Sequence, residues 1–201
     1  MRTPNYSEQI VSLARKNGLI RARDLAPLQI PRATLTRMIQ TGRLIQISRG
    51  LYAPPEQIRS EFHPFAEVAS RSPSGVFCLL SALRFHQLTT QLPHELWLAI
   101  PNKARAPKME YPPLRIVRFS GAALTQGIER HLVDGVSIRV YSVAKTVADC
   151  FKYRNKIGLD VALEALRESR REKRATVDEL WRYAKVCRVA GVIRPYLESL
   201  E

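Results

Sequence analysis

Long apolar runs are missing from this sequence. No stretch approaches the ~20 residues that a membrane-spanning helix needs, and Met1-Arg2-Thr3-Pro4 leads into no signal-peptide core. The expectation is a cytoplasmic protein with no membrane partner. Cysteine is scarce and odd in number: Cys78, Cys150 and Cys187 lie far apart, each within apolar sequence, which fits neither a disulfide framework nor a zinc site and reads as buried free thiols. Aromatics are only 7% of residues and are not interleaved with basic ones, which argues against the stacking platforms of a general RNA or single-strand binder. No glycine-rich phosphate loop occurs. His63, His86, His94 and His131 show no metal-ligand spacing, so no metal, cofactor or catalytic residue is assigned. Acids are in deficit, 18 against 32 Lys and Arg, for a net charge of +14. A polyanion, nucleic acid foremost, is the partner such a balance implies.

What is present has an order. The 201 residues suffice for one large domain or two small ones, and two are expected, 1–60 and 61–201. Residues 1–59 hold ten Lys or Arg and three acids, making charge over twice as dense there as in the remainder. Within this basic segment Pro31 suits a helix start and Gly42 a left-handed helix end, which frames a helix over Arg32–Thr41. Leu35, Met38 and Ile39 fall on one buried face of it, leaving Arg32, Ala33, Thr36, Arg37 and Gln40 outward. Arg and Gln match guanine and adenine edges in the major groove, and Thr suits phosphate or the thymine methyl. Alternating residues from Leu44 to Ala53 then read as a hairpin tipped by Ser48-Arg49-Gly50. Helices at Ser7–Asn17 and Arg21–Leu25, the latter closed by Pro27, precede this pair, with Asp24 as cap or contact. The order is that of a winged helix-turn-helix. Its candidate DNA contacts are Arg32, Thr34, Thr36, Arg37, Gln40, Arg43, Ser48 and Arg49. The bland alternative is an amphipathic surface helix beside an ordinary hairpin.

Pro54-Pro55 ends the hairpin and opens a connector. Beyond it, helices are expected at His63–Ala69 and Ser74–Leu83, the second apolar nearly all round. Strands are expected at Leu96–Ile100 and Leu114–Phe119, and a hairpin at Gly127–Tyr141 turns on Asp134-Gly135. Ser142 is a candidate N-cap for Val143–Tyr153; further helices follow at Leu159–Glu168, from Thr176 to Val186, and at Ile193–Leu200. The fold class is α+β, a winged helix-turn-helix followed by a mixed α/β domain. The rival functional class is a nucleic-acid-processing enzyme that uses the winged helix for targeting. It would need acids gathered from scattered positions, because Lys145 and Asp149, four apart, have the spacing of a plain helical salt bridge.

Ile30-Pro31-Arg32-Ala33-Thr34-Leu35 with Gly42, and Arg49-Gly50-Leu51-Tyr52-Ala53, resemble the N-terminal winged helix of the AbiEi family, the antitoxin-repressors of type IV toxin-antitoxin and phage-defence systems. Glu95 to Pro101, the Asp134-Gly135-Val136 turn, and Tyr141 to Phe151 with Arg154 and Lys156 resemble its C-terminal antitoxin domain. The resemblance implies a repressor of its own operon that binds double-stranded DNA at inverted repeats, where two copies would share one operator. It also implies a C-terminal domain that counteracts a nucleotidyltransferase-type toxin. Lys145, Arg154 and Lys156 are the antitoxin candidates, with a structural role equally open for Lys145.

Overall fold

The computed structural model describes residues 6–55 and 60–199, with the side chains of Arg15 and Ser48 outside that description. It divides into two compact units, one of residues 1–70 with the segment 132–137 and one of residues 71–131 and 138–201.

In the first unit, α1 (Tyr6–Asn17) ends at Gly18, whose amide closes the helix on the Ala14 carbonyl at 2.8 Å. β1 (Ile20–Arg21) follows, then a 3-10 helix over Ala22–Leu28. That helix corrects the expected short α-helix closed by Pro27. Pro27 lies inside it, and the element ends where Gln29 turns left-handed, with φ of 53° and its amide on the Ala26 carbonyl. α2 (Arg32–Gln40) comes next, with Pro31 as its extended N-cap rather than its first helical residue. β2 (Ile45–Ser48) and β3 (Leu51–Ala53) form the hairpin, with a register irregularity between Gln46 and Ser48. β1 joins β3 to give an antiparallel sheet of order β1-β3-β2. Ile10, Ala14, Ile20, Leu25, Leu35, Met38 and Leu44 fill the core, so the exposure of α2 is set by helix, strand and loop at once. α3 (His63–Arg71) contributes His63, whose Nδ1 lies 2.6 Å from Asp134 Oδ2 at the hairpin tip. Gly18 and Gly135, both at positive φ, bring backbone against backbone here. A Cβ on Gly18 would meet the Asp134 carbonyl oxygen at 1.4 Å.

The second unit is built on a five-stranded mixed sheet of β4 (Val76–Phe77), β5 (Leu96–Pro101), β6 (Leu114–Phe119), β7 (Ile128–Val133) and β8 (Val136–Tyr141). Its order is β6-β5-β4-β8-β7. β5 pairs parallel with β6 and antiparallel with β4, and β4 pairs parallel with β8. The expected helix Ser74–Leu83 is corrected: its first half is the central strand β4, and only α4 (Leu79–Phe85) is helical. A fully buried strand is apolar on both faces, so it shows no period to separate it from a buried helix. The short α5 (Gly121–Thr125) follows β6, and α6 (Val143–Lys152) follows β8, buried from Val143 through Phe151. α7 (Arg154–Ile157), α8 (Leu159–Arg171), α9 (Val177–Cys187) and α10 (Ala190–Glu198) complete the unit, with α8, α9 and α10 packed against α6. Ser142 precedes α6 without a side-chain capping bond, its hydroxyl buried and unpartnered. Thr176 does cap α9: its Oγ1 accepts from the Glu179 amide, and the Glu179 carboxylate accepts from the Thr176 amide at 2.9 Å. The expected last residue of the final helix, Leu200, lies outside the described residues.

Candidate nucleic-acid interface

The buried side of α2 decides what its other side presents. Leu35 and Met38 go into the core, and the positions left over, Arg32, Ala33, Thr36, Arg37 and Gln40, are all exposed. Arg32, Thr36 and Gln40 stand in one row at four-residue steps, a row about 12 Å long at 1.5 Å rise per residue, which is about the width of the major groove. Arg37 lies beside that row. Thr34 is a correction: it is only 6% exposed, because its place four residues before Met38 turns it inward. It cannot contact a nucleic acid in this structure. Arg43 is exposed in the turn after α2, and Arg49 is exposed at the tip of the hairpin, next to Gly50 with φ of 78°. Ser48 ends β2; its side chain lies outside the described residues.

Electrostatically the face is uncompensated. Among the described residues no carboxylate pairs with Arg32, Arg37, Arg43 or Arg49. The nearby acid in sequence, Asp24, is used locally, its Oδ2 accepting the Arg21 amide at 2.9 Å, so it is a cap. Arg21 itself is half-buried, and burial, then the proximity of Arg23, lower its guanidinium from the ordinary value. Thr41 secures the end of α2, its hydroxyl donating to the Arg37 carbonyl at 2.9 Å, and Gly42 completes the turn at φ of 69°. The arginines thus project from a fixed helix with their guanidinium forks unspent, which is what bidentate recognition of guanine or phosphate requires.

The candidates in the second unit separate. Lys145 is fully buried, with Nζ donating to Asp149 Oδ2 at 2.5 Å and lying 4.1 Å from the Tyr141 ring centroid and 4.9 Å from that of Phe119. It sits near the start of α6. The other Asp149 oxygen accepts from Cys187 Sγ at 3.2 Å. Burial pushes the Asp149 carboxyl above its ordinary range against the opposing pull of Lys145, and burial pushes the Cys187 thiol up to about 12. Such a sealed pair touches no macromolecule. Arg154 and Lys156 lie on the short helix α7. Arg154 is half-buried and donates to the Phe151 carbonyl at 2.9 Å, a cation on the C-terminal end of α6. Lys156 is exposed, 5.7 Å from the Tyr153 ring centroid. Among the described residues no three His, Cys, Asp or Glu side chains converge as metal ligands, and no helix is long and apolar enough to cross a membrane.

A helix with an exposed, unpaired basic face, held by a small antiparallel sheet with a basic tip, defines a unit of mixed α+β class suited to a polyanion. Residues 8–55, from within α1 through the hairpin, match the family model described as transcriptional regulator, AbiEi antitoxin. No curated protein matches the chain. Among solved structures the chain is similar to the crystal structure of the RV2827C protein from Mycobacterium tuberculosis, at 15% identity and a TM-score of 0.62, covering 92% of this chain and 72% of that one. At that identity the likeness is one of fold, and it extends across nearly all of the present chain.

Proposed function

We propose that the first unit is a winged helix-turn-helix, with α2 as the recognition helix in the major groove and the β2–β3 tip as the wing against the backbone or minor groove. The protein is then a sequence-specific repressor that acts on an inverted-repeat operator of its own operon. Its second unit supplies the antitoxin activity of a type IV toxin-antitoxin system against a nucleotidyltransferase-like toxin. The observation that carries the DNA reading is the exposed face of Arg32, Thr36, Arg37 and Gln40, unpaired with any described acid and lying inside the matched segment. The antitoxin reading rests on the family description and on Lys156, the one of its three candidate residues that is exposed. The competing reading, a targeted nucleic-acid-processing enzyme, loses Asp149 as a catalytic carboxylate, because that group is sealed against Lys145 and Cys187.

The test is titration of the full chain against the duplex upstream of its own gene and against a random duplex of equal length, by fluorescence anisotropy across a salt series. Preference for the upstream duplex is expected. The slope of log affinity on log salt should be roughly −4 to −6, for about five or six neutralised phosphates. Equal affinity for both duplexes refutes sequence-specific repression.

A further inference from the structure

The free edge of the five-stranded sheet carries a cavity that the DNA reading does not use. β6 is the last strand of the sheet, and against it and β5 lies a cavity of about 530 Å³ whose lining includes Trp97, Arg115, Arg118, Tyr153 and Lys156. Three cations around one cavity repel each other unless something neutralises them. Among the described residues only Arg115 of the three has a carboxylate, Glu95 at 3.1 Å, and its guanidinium also stands over the Trp97 ring at 4.8 Å. Arg118 uses Nη1 to hold the Pro101, Asn102 and Ala104 carbonyls at 2.9, 2.7 and 2.7 Å, which fixes it in place without cancelling its charge. Lys156 Nζ lies 5.7 Å from the Tyr153 ring centroid and among the described residues has no carboxylate partner. Trp97 is only 4% exposed, and among the described residues its buried indole Nε1–H has no hydrogen-bond acceptor. Buried donors of that kind are rare in native proteins and ask for a partner.

We propose that this cavity binds a free nucleoside triphosphate. Arg118 and Lys156 meet the phosphates, the half-buried Tyr153 ring offers a wall for the base, and the Trp97 indole N–H donates to a base acceptor. The volume falls in the range of ordinary small-molecule sites. The combination selects against simpler anions, since inorganic phosphate would use the cations and leave the aromatic wall and the indole donor idle. Burial pushes the Tyr153 phenol up to about 12, so it stays a neutral donor at physiological pH.

Isothermal titration calorimetry on the full chain with ATP, GTP, CTP and UTP, and in parallel with inorganic tripolyphosphate, tests this. Saturable micromolar binding of at least one nucleotide is expected, with tripolyphosphate at least about tenfold weaker. Lys156→Glu, at an exposed position, should weaken nucleotide binding by about tenfold or more, the loss of a charge-assisted bond. Trp97→Phe, which keeps a ring and removes the N–H, should weaken it severalfold. Circular dichroism verifies that both variants fold. The proposal is overturned if no nucleotide binds up to millimolar concentration, if tripolyphosphate binds as tightly, or if both folded variants bind as the wild type does. Because the readout involves no DNA, the result stands apart from the fate of the repressor reading.

Discussion

Lys145→Met removes the cation from a sealed pair and leaves its carboxylate behind. In the wild type both side chains are essentially without solvent, at 0% and 1% exposure, and Asp149 has Lys145 and the Cys187 thiol as its partners. Methionine is an unbranched, flexible side chain that can lie beside the Tyr141 and Phe119 rings, which now stand 4.1 and 4.9 Å from Lys145 Nζ, so little of the loss comes from packing. What remains is a buried carboxylate with one weak S–H donor. Breaking a buried pair in this way costs ~3–5 kcal/mol, whereas replacing both partners by apolar groups is often neutral or stabilising. Lys145→Met/Asp149→Leu should therefore recover most of what Lys145→Met loses. The pH dependence has a definite sign. Burial already holds the Asp149 carboxyl above its ordinary range, and without the lysine it goes higher. A raised folded value means stability that is fully present below the unfolded carboxyl, near 3.9, and lost as pH rises through the folded value. The penalty of Lys145→Met should thus be large at pH 7 and shrink towards pH 4. Both tryptophans, Trp97 and Trp181, lie in the second unit, so their emission during urea titration reports on that unit alone. With a slope of ~2 kcal/mol per molar urea, the midpoint should fall by about 2 M at pH 7. A loss below ~1 kcal/mol at pH 7, or a double variant no more stable than the single one, would refute the reasoning.

Arg37→Ala should cost ~1–3 kcal/mol on the upstream duplex and much less on random duplex, while Arg49→Ala should weaken both alike, as anisotropy titrations would register. Parallel losses for the two would mean that α2 does not read bases. Gly18→Ala should destabilise the first unit by several kcal/mol, since its Cβ would fall 1.4 Å from a backbone oxygen at a φ of 75°; amide hydrogen exchange over residues 6–53 would reveal it, and unchanged protection would contradict the contact. Cys78, Cys150 and Cys187 are buried with thiols pushed above their ordinary value by desolvation. At pH 8 they should therefore resist a thiol-specific disulfide reagent in native protein and all react in urea, with prompt reaction in the native state speaking against this packing.

The elements that could be read from sequence are those whose ends carry a backbone reason. Pro31 and Gly42 bracket α2, Asp134-Gly135 turns β7 into β8, and Thr176 with Glu179 starts α9, each through a local preference that no distant contact overrides. The elements misread are those defined by partners. Val76-Phe77 is a strand because Leu98, Ala99 and Val140 pair with it, and a continuous apolar run contains nothing that announces such pairing. Ser142 is a good cap residue by type, yet its hydroxyl makes no bond there, because capping depends on the rotamer that the surrounding packing permits.

The same distinction governs the sites. The face of α2 could be read because one helix carries all of it, so three- and four-residue spacing sorts Arg32, Thr36, Arg37 and Gln40 from Leu35 and Met38. Thr34 went astray because a small polar residue next to the buried stripe has no hydrophobic signature, although it lies four residues from Met38 and shares its burial. For Lys145 the four-residue spacing to Asp149 indicates the helical salt bridge that the structure shows, but not its burial, because the elements that enclose α6 on all sides come from elsewhere in the chain. The cavity at β6 left no trace in the sequence, since Trp97, Arg115, Arg118 and Lys156 come from two parallel strands and a separate helical turn. Trp97 meets Arg115 only through the register of β5 against β6, which is a property of the folded sheet. A charge count registers these cations as part of the +14 and assigns them to nucleic acid at large, whereas their placement around one buried indole donor addresses a single small anion.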